Sequence, residues 1–428
     1  MVKIILKDIP DLYKIDVYEA NGGYSSLRKA LKKMKPEDVT DEVKKSNLRG
    51  RGGACFPTGL KWTFMPKGND KPKYLCCNGD ESEPGSFKDR EIIERNPHQF
   101  IEGTLLACYA MGINVAYVYI RGEYYKWINL LQKAIDDAYK KKYIGKNILG
   151  SKFSTDIYIH RGAGAYICGE ESALMNSIEG KRGYPRVKPP FPAANGLWGN
   201  PTTINNIETI ANVPEIINNG GEWFSKIGEL KHPGTLLFGV SGHINKPGIY
   251  ELETGIPLMT ILNDYCGGIL NGKEIKMIIP GGTSMPPLTK EESLTIKMDD
   301  ASLKAIGSSI GTAGIIVLNE DADVCSVLER IAYFYYHESC GQCTPCREGT
   351  GWLLRVLKRI NQGNGRISDL DLLINVSENI EGNTICALGD AAAWPVKWTI
   401  RKFRKDFEDK INKVDTELPV MNKVHSLR

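Results

Sequence analysis

Several features that mark other classes of protein are missing from this sequence of 428 residues. No apolar run is long enough for a membrane span, since the longest, residues 105–120, is broken by Gly112 and Asn114. The formal net charge is only +4, which does not indicate binding to nucleic acid or to an anionic membrane. The first residues lack the apolar stretch of a secretory signal, so we expect a reducing compartment.

Common catalytic signatures are also missing. The chain contains neither a Walker A loop nor the GxGxxG dinucleotide fingerprint. Its six histidines are scattered, and no Ser–His–Asp arrangement is indicated. A redox enzyme needs little help from acid–base residues, because its cofactor carries the chemistry.

Cysteines are present in an informative pattern. Cys340, Cys343 and Cys346 are separated by two-residue gaps, and Cys386 follows at a distance. A [4Fe–4S] cluster needs four thiolates, and a CxxCxxC loop can supply three of them while a distant cysteine supplies the fourth. The spacing favours this cluster, but a structural zinc site and disulfides remain as alternatives.

The length and composition indicate a globular protein with about three domains. Hydrophobic residues make up 42% of the chain and charged residues 25%. Residues 74–180 alternate strand and helix patterns: strands at 74–78, 115–120 and 155–160 and helices at 91–111 and 125–140. This rhythm predicts a mostly parallel sheet covered by helices.

The pattern changes twice further along the chain. A loop rich in proline and glycine spans residues 183–201, and loops of that length are often functional. From about Gly234 a small α+β domain is predicted by a short helix at 258–265 and strands at 235–240, 248–252, 275–279 and 314–318. After Asp321 only helical spacing remains, which predicts a bundle that carries the cysteine loop, with helices at 324–336, 349–360, 368–380 and 391–409.

Four glycine-rich or polar segments are candidate ligand sites. Residues 50–62, GRGGACFPTGLKW, place two cations in a glycine-rich turn that is either flexible or a phosphate cradle. Residues 161–172 lead from a strand into a helix and end in two acids, which either bind a ligand or cap the helix. Residues 78–85 are acidic and either contact a ligand or form a solvated turn. Residues 201–206 offer amides and hydroxyls that either contact a ligand or cap a helix.

Together these segments resemble one family, the NADH-binding flavoprotein subunit of NADH:quinone oxidoreductase, respiratory complex I. The resemblance is carried by GRGGACFPTGLKW, CNGDESEPG, GAGAYICGEESALMNSIEG, the TINN stretch and SCGQCTPCREG with a distal cysteine, and it spans nearly the whole chain. It implies an α/β Rossmann-like FMN domain, a ubiquitin-like α+β (SLBB) domain and a C-terminal helical bundle with an iron–sulfur cluster.

The resemblance also implies a role for particular residues, with Glu83 and Glu171 as polar contacts of NADH at the catalytic centre. The residues implied for FMN are Gly50, Arg51, Gly52, Gly53, Lys61, Asn78, Asp80, Glu81, Tyr166, Gly169, Glu170, Asn205 and Asn206. Those implied for the rest of NADH are Phe56, Phe64, Phe191 and Lys188. The cluster ligands would be Cys340, Cys343, Cys346 and Cys386.

One position departs from the family pattern. Cys55 stands where the family usually has glycine. We expect it to alter the conformation of the glycine-rich loop or to bring a thiol close to the flavin.

From the resemblance we expect domains at residues 1–232, 233–320 and 321–428. We also expect hydride transfer from NADH to FMN and electron transfer to the cluster and on towards quinone. The implied partners are a thioredoxin-like [2Fe–2S] subunit and further complex I subunits, which would hold the chain on the cytoplasmic face of the inner membrane. A related diaphorase of a hydrogenase or formate dehydrogenase, and a non-catalytic scaffold, remain as alternatives.

Overall fold

The computed structural model of the protein describes residues 2–68 and 71–417. The chain divides into two compact units, Met1–Glu320 and Asp321–Arg428. Met1 and residues 418–428, the outer ends of the first and last predicted domains, lie outside the described residues.

The first unit contains all the strands of the described chain and most of its helices. The strands are β1 (Tyr74–Gly79), β2 (Val115–Ile120), β3 (Asp156–Arg161), β4 (Thr202–Asn206), β5 (Gly228–Glu229), β6 (His232–Pro233), β7 (Thr235–Gly242), β8 (Gly248–Glu253), β9 (Ile275–Ile279) and β10 (Gly314–Asn319).

The helices of the first unit lie before, between and after these strands. They are α1 (Ile15–Ala20), α2 (Ser25–Lys33), α3 (Pro36–Lys45), α4 (Thr58–Thr63), α5 (Asp89–Arg95), α6 (Pro97–Met111), α7 (Tyr125–Lys140), α8 (Glu171–Ile178), α9 (Ile207–Ala211), α10 (Val213–Asn219), α11 (Gly221–Phe224), α12 (Leu258–Thr260), α13 (Lys290–Thr295) and α14 (Asp300–Ala305). A π-helical turn at Ile261–Tyr265 continues α12, and short 3-10 turns occur at Ile148–Gly150, Tyr166–Gly169, Leu197–Gly199 and Leu270–Gly272.

The first sheet is parallel throughout, with the strand order β3-β2-β1-β4. Its central strand β1 is apolar because helices cover parallel sheets on their faces, and Leu75, Cys76 and Cys77 are fully buried. Asn78 pairs in register with Asn206, so the carboxyl ends of β1 and β4 lie side by side. Ligands of open α/β folds bind at such strand ends.

The sequence predicted most of this sheet correctly, with two differences. Strand β4 was not predicted, because its residues Thr-Thr-Ile-Asn-Asn have too little apolar character to indicate a strand. The single helix expected at 91–111 is two helices, α5 and α6, which meet at Asn96 and Pro97. Proline starts helices readily but disrupts their interior, which explains the break.

Helix α6 is the central helix of the first unit, and nearly all its residues are buried. It carries a buried acid, Glu102, whose carboxylate accepts hydrogen bonds from the Tyr18 hydroxyl (2.6 Å) and from the backbone N–H groups of Tyr24 (2.8 Å) and Leu27 (3.1 Å). Burial raises the pKa of Glu102. These bonds satisfy donors at the start of α2 and fix it against α6.

The second sheet has the strand order β8-β7-β10-β9. Its two central strands, β7 and β10, are parallel, and the outer strands are antiparallel to them. This is the arrangement of a ubiquitin-like fold, with α12 and its π-helical turn contributing Leu258, Ile261 and Leu262 to the core beneath the sheet. The predicted strands at 235–240, 275–279 and 314–318 all lie within observed strands.

A buried group of charges joins the two sheets. Lys88 Nζ lies 2.9 Å from Asp89 Oδ1 and 2.7 Å from Glu208 Oε2, with all three side chains almost completely buried. The other oxygen of Glu208 accepts a hydrogen bond of 3.0 Å from the backbone N–H of Leu237 in β7. Although burial opposes the charge of Lys88, the surrounding carboxylates raise its pKa, so the group holds the α/β layer to the second sheet.

The second unit is helical in the described residues 321–417. Its helices are α15 (Val324–Glu338), α16 (Thr344–Asn361), α17 (Ser368–Ile380), α18 (Leu388–Lys402) and α19 (Arg404–Glu417). The predicted bundle is therefore present, although the helix expected at 391–409 ends at Lys402 and a new one begins at Arg404.

We expect acid to destabilise the first unit as the pH falls from 6.5 towards 4. Burial lowers the pKa of His98 to about 4 and that of His232 to about 2, whereas histidine in an unfolded chain has a pKa near 6.5. The unfolded chain then binds more protons, and the unfolding free energy falls by about 1.4 kcal/mol per pH unit for each histidine. Calorimetric unfolding midpoints between pH 7 and pH 4 measure this loss.

Replacing His98 by asparagine removes one of the two groups, so this variant should lose less stability in acid than the wild type. His337→Asn is the matched control, because its side chain is 68% exposed. Identical acid dependence of His98→Asn and wild type would show that His98 is not the group responsible.

Candidate functional site

The glycine-rich loop forms one wall of a cleft. The N–H of Gly50 donates to the carbonyl oxygen of Phe56 (2.9 Å), which closes residues 50–56 into a tight turn before α4. Gly50 and Gly52 line the cleft. A Cβ atom on Gly52 would lie 3.1 Å from the Cβ of Asn206, so glycine lets this loop approach the end of β4 closely.

The side chain of Arg51 turns into the protein. It is 2% exposed, and its guanidinium donates to the carbonyl oxygen of Pro233 (2.6 Å) and to the imidazole of His232. The charge of Arg51 is therefore engaged in packing below the loop, and its contact with FMN stays a prediction. Gly53, also expected at the cofactor, faces Thr312 of the second-sheet domain, 3.9 Å from where its Cβ would lie.

Lys61 is the cation that the loop does present to the cleft. From α4 its Nζ reaches Glu171 Oε2 at 3.2 Å, and Lys188 Nζ lies 2.8 Å from the other oxygen of Glu171. Although burial works in the opposite direction, the charges of Lys61 and Lys188 lower the pKa of Glu171. Glu171 therefore stays ionised between two cations at the cleft wall.

Glu170 caps a helix, as one of the two interpretations of the acidic pair proposed. One of its carboxylate oxygens accepts hydrogen bonds from the N–H groups of Ser172 (2.8 Å) and Ala173 (3.0 Å) at the start of α8. The other oxygen accepts a 2.9 Å hydrogen bond from Lys188 Nζ. Capping does not remove Glu170 from the site, since it also lines the cleft.

The polar loop after β1 brings further predicted residues together. The side-chain amide of Asn78 donates to the carbonyl oxygen of Gly169 (2.8 Å), and its oxygen accepts from the N–H of Asp80 (3.0 Å). A Cβ on Gly169 would lie 3.6 Å from the carboxylate of Asp80. The turn before α8 therefore packs directly on the end of β1, and Asn78 and Gly169 both line the cleft.

Glu81 is not among the residues that line the cleft, and its contact with the cofactor stays a prediction. Its buried carboxylate accepts hydrogen bonds from the N–H groups of Lys88 (2.7 Å) and Asp89 (3.0 Å) and from the hydroxyls of Ser86 (3.0 Å) and Tyr124 (3.1 Å). Burial raises the pKa of Glu81. Through these hydrogen bonds Glu81 holds the acidic loop to the residues that follow it.

Glu83 and Tyr166 are joined to each other. The Tyr166 hydroxyl donates to one carboxylate oxygen of Glu83 at 2.7 Å, and the N–H of Ser284 donates to the other at 2.7 Å. The structure therefore pairs two residues that were predicted separately, and it adds Ser284, which no sequence pattern indicated.

The two asparagines at the end of β4 are anchored by their neighbours. Asn205 Oδ1 accepts a hydrogen bond from the indole N–H of Trp62 (3.0 Å). Asn206 Oδ1 caps α9 by accepting from the N–H of Glu208 (2.9 Å), and its amide donates to Asp89 (2.7 Å). Both line the cleft, so the capping role and a place at the site coexist.

Three phenylalanines leave large apolar surfaces open to solvent in the cleft. Phe56, Phe64 and Phe191 are 43%, 53% and 61% exposed. The ring centroids of Phe56 and Phe64 are 6.1 Å apart. Exposed aromatic rings in a cleft are suited to stacking against a planar ligand.

Cys55 borders the cleft but is only 5% exposed, and it packs with the core of the second sheet, including Leu236 and Phe238. Its φ of +52° is a conformation that favours glycine. Burial raises the pKa of this thiol to about 11. The expected change in the loop is therefore a cysteine held in a glycine-like conformation, with its thiol protonated inside that core.

The whole cleft has a volume of about 1320 Å³, which is larger than most single-ligand pockets. Its glycine-lined wall, ionised polar side chains and exposed phenylalanines fit a flavin together with a dinucleotide. The sequence did not predict several lining residues: Ala54, Pro66, Lys71, Pro189, Pro190, Pro192, Ala193, Ala194, Pro201, Thr202, Thr203, Ile204 and Thr209. Ala54 and residues 201–204 lie within the candidate segments 50–62 and 201–206, and residues 189–194 lie within the long proline-rich loop. Nothing in the sequence indicated Pro66, Lys71 or Thr209.

In the second unit, three of the four predicted cluster cysteines lie at the start of α16. Cys340 and Cys343 precede the helix, and Cys346 lies in its first turn with its Sγ 3.2 Å from the Ser339 hydroxyl. Burial raises the pKa of Cys346 to about 11, and the nearby thiols of Cys343 and Cys340 contribute to the rise. Cys386 lies just before α18.

None of the four sulfur atoms takes part in a disulfide bond in this structure. In the parts of the chain that the structure describes, no three Cys, His, Asp or Glu side chains are grouped closely enough to hold a metal ion. The donor set nevertheless suits an iron–sulfur cluster, because it consists of thiols alone, and metal binding commonly completes the geometry of such sites.

Comparisons with known proteins match three regions of the chain. Residues 43–215 match the model of the Nuo51 FMN-binding domain, residues 236–317 that of the SLBB domain, and residues 326–410 that of the NADH-ubiquinone oxidoreductase-F iron-sulfur binding region. The NADH-quinone oxidoreductase F subunit of Rickettsia bellii is 56% identical over 91% of this chain and 94% of its own length. An F subunit of the same enzyme from Rhizobium meliloti is 52% identical over 94% of this chain and 95% of its own length.

The chain belongs to the family of NADH-quinone oxidoreductase F subunits. The predicted family and fold class are confirmed. The predicted cofactors, FMN and a [4Fe–4S] cluster, and the predicted substrate, NADH, are confirmed as well. The predicted function is confirmed with them: it is an NADH dehydrogenase of the oxidoreductase class, one component of a larger enzyme.

Solved structures give the same fold. A crystal structure of an NAD+-reducing [NiFe]-hydrogenase in the air-oxidized state matches with a TM-score of 0.82 and 32% identity. The match covers 95% of this chain but 66% of the hydrogenase chain. Among the residues that the structure describes, no helix combines the length and apolar character needed to cross a membrane.

Proposed function

We propose that the cleft binds FMN and NADH together, so that hydride passes from NADH to FMN within it. The observation that carries this proposal is the cleft at the carboxyl ends of β1 and β4, which is lined by the ion-paired Lys61, Glu171 and Lys188 and by exposed phenylalanines. When bound, FMN accepts two electrons and releases them singly to a one-electron carrier. The chain's own residues bind and orient the two ligands.

The residues proposed for FMN are those that line the glycine-rich wall and the strand ends. The backbone of Gly50 and Gly52 lets a ligand approach closely, and Lys61 supplies a positive charge. Asn78 and Asn205 offer amides on the cleft floor, already oriented by their hydrogen bonds. The proposed set is completed by Asn206, Gly169, Glu170, Asp80, Tyr166, Arg51, Gly53 and Glu81.

NADH is proposed to lie against the aromatic side of the cleft. Phe56, Phe64 and Phe191 would stack on its adenine, since all three rings are exposed in the cleft and those of Phe56 and Phe64 lie 6.1 Å apart. The carboxylate of Glu171 would accept hydrogen bonds from ribose hydroxyls, with Lys188 beside it. Glu83 would be a further polar contact.

The second unit is proposed to hold the [4Fe–4S] cluster through Cys340, Cys343, Cys346 and Cys386. The arrangement of three thiols around the start of α16 supports the first three ligands. Cys386 is proposed from the sequence pattern, as the remaining cysteine of this unit besides Cys325, which is buried in α15.

The assembly around this protein is also a proposal. We infer a direct partner of thioredoxin-like fold with a [2Fe–2S] cluster, further complex I subunits, and a position on the cytoplasmic face of the inner membrane. Support comes from the family, whose members are subunits of an NADH-quinone oxidoreductase. The domain limits 1–232, 233–320 and 321–428 remain predictions as well.

Replacing Lys61 by methionine is expected to lower the FMN content of the purified protein. The variant keeps the length of the side chain but removes the cation from the cleft, and a hydrogen bond to a charged group contributes about 1.5–3 kcal/mol. The FMN dissociation constant, measured by flavin fluorescence, should therefore rise at least roughly tenfold. NADH oxidation with ferricyanide should fall in parallel and recover with added FMN.

Lys67→Met is the matched control, because Lys67 lies in the same segment with its side chain 78% exposed. It should bind FMN as the wild type does. A wild-type protein that binds neither FMN nor NADH would contradict the proposed function as a whole.

A further inference from the structure

The carboxylate of Glu83 is held from two domains at once. The Tyr166 hydroxyl, from the turn before α8, donates to one oxygen at 2.7 Å. The N–H of Ser284, from the loop that follows β9 of the second sheet, donates to the other oxygen at 2.7 Å. Hydrogen bonds therefore fix the orientation of both carboxylate oxygens, and one of the two donors belongs to the ubiquitin-like domain.

The loop that carries Ser284 leaves no spare room around Glu83. A Cβ atom on Gly282 would lie 2.5 Å from the Cγ of Glu83 and 2.7 Å from its Oε1. Gly282 also has a φ of +96°, which side-chain-bearing residues rarely adopt. Glycine at this position thus allows the loop to press against the carboxylate and fix its place.

The same acidic loop is docked on the second sheet at further points. The N–H of Thr283 donates to the carbonyl oxygen of Pro84 at 3.2 Å. A Cβ on Gly314, at the start of β10, would lie 2.6 Å from the carbonyl oxygen of Gly85. The second sheet therefore contacts the backbone of the two residues that directly follow Glu83.

We propose that the ubiquitin-like domain is a positioning element of the nucleotide site, acting through Gly282 and Ser284 on Glu83. The loop after β9 fixes the position of the Glu83 carboxylate, and this position determines the affinity of the cleft for NADH. This inference rests on the proposed function, in which Glu83 contacts NADH. Gly282 and Ser284 are positioning residues, since they act through Glu83.

Replacing Gly282 by alanine tests the inference. The added Cβ displaces Glu83, so the dissociation constant of NADH, measured by isothermal titration with the FMN-loaded protein, should rise roughly tenfold. The KM for NADH should follow, whereas kcat with ferricyanide and the FMN content should stay near wild type. Gly268→Ala is the matched control: its φ of +84° imposes similar backbone strain, but nothing lies within 4 Å of its Cβ.

Gly314→Ala is a second variant that needs no unusual φ and pushes the acidic loop at Gly85. Gly314→Ala should also weaken NADH binding. The inference can therefore still be tested if Gly282→Ala folds poorly. In a Glu83→Ala background, which removes the Cγ that clashes, Gly282→Ala should have no further effect on NADH binding.

The outcomes separate the inference from the function on which it rests. NADH binding that is unchanged in both glycine variants, or equally weakened by Gly282→Ala with and without Glu83, would overturn the positioning role alone. A wild-type protein that binds FMN but not NADH would overturn the proposed function and the inference together.

Discussion

Replacing Cys386 by alanine is expected to abolish the [4Fe–4S] cluster while FMN stays bound. Three thiolates near the start of α16 cannot complete a cluster that needs four, whereas the proposed flavin residues all lie in the other unit, Met1–Glu320. Bound iron should fall from about four atoms per chain to almost none. Iron and flavin analysis, together with the EPR spectrum of the reduced protein, measure both parts of this expectation.

Cys325→Ala is the control for this experiment. Cys325 lies in the same unit, buried in α15, and its Sγ is 3.8 Å from the carbonyl oxygen of Asp406. Burial raises the pKa of this thiol to about 12, so it is a packing residue and its variant should keep the cluster. A Cys386→Ala protein with four irons and an unchanged EPR signal would refute the ligand assignment, once a substitute ligand had been excluded.

Replacing Glu171 by glutamine is expected to narrow the preference for NADH over NADPH. The ionised carboxylate would accept hydrogen bonds from the ribose hydroxyls and repel the 2′-phosphate of NADPH. Losing one such contact typically changes discrimination by about 1–3 kcal/mol, or roughly ten- to a hundredfold. The specificity constants for the two nucleotides, with ferricyanide as acceptor, measure the change.

Glu123→Gln removes a carboxylate that is 52% exposed and paired with Arg121, so it should leave the preference unchanged. Equal specificity constants for NADH and NADPH in the wild type would remove the basis for the role of Glu171. The structure adds a further expectation: because Lys61 and Lys188 both pair with Glu171, the variant should also bind FMN somewhat differently.

The sequence predicted those parts of the fold whose pattern is set by burial. Strand β2 and helix α7 were expected at the residues where they occur, because a central strand is continuously apolar and an amphipathic helix has a clear period. Strand β4 was not predicted, because it contains polar residues that line the cleft, Thr203, Asn205 and Asn206, and so lacks an apolar pattern. The break at Asn96 is a local effect of the proline that follows.

The site could be predicted as a set of segments but not as a set of orientations. A charge run does not reveal which way each side chain turns, and Glu81 and Arg51 both turn into the protein. Ser284 was beyond prediction because it acts through its backbone N–H from another domain. Only the tertiary structure shows that such a group reaches Glu83.

The pairing of β4 with β1 has a consequence for how the molecule matures. The floor of the cleft forms only when residues 202–206 return to lie beside residues 74–78, after the chain between them has built β2, β3 and the helices that cover them. Contacts between such distant segments are slow to form, because a long loop must close first. We therefore expect FMN to bind only after β4 has joined β1, and a ligand that binds only the closed sheet helps to keep it closed.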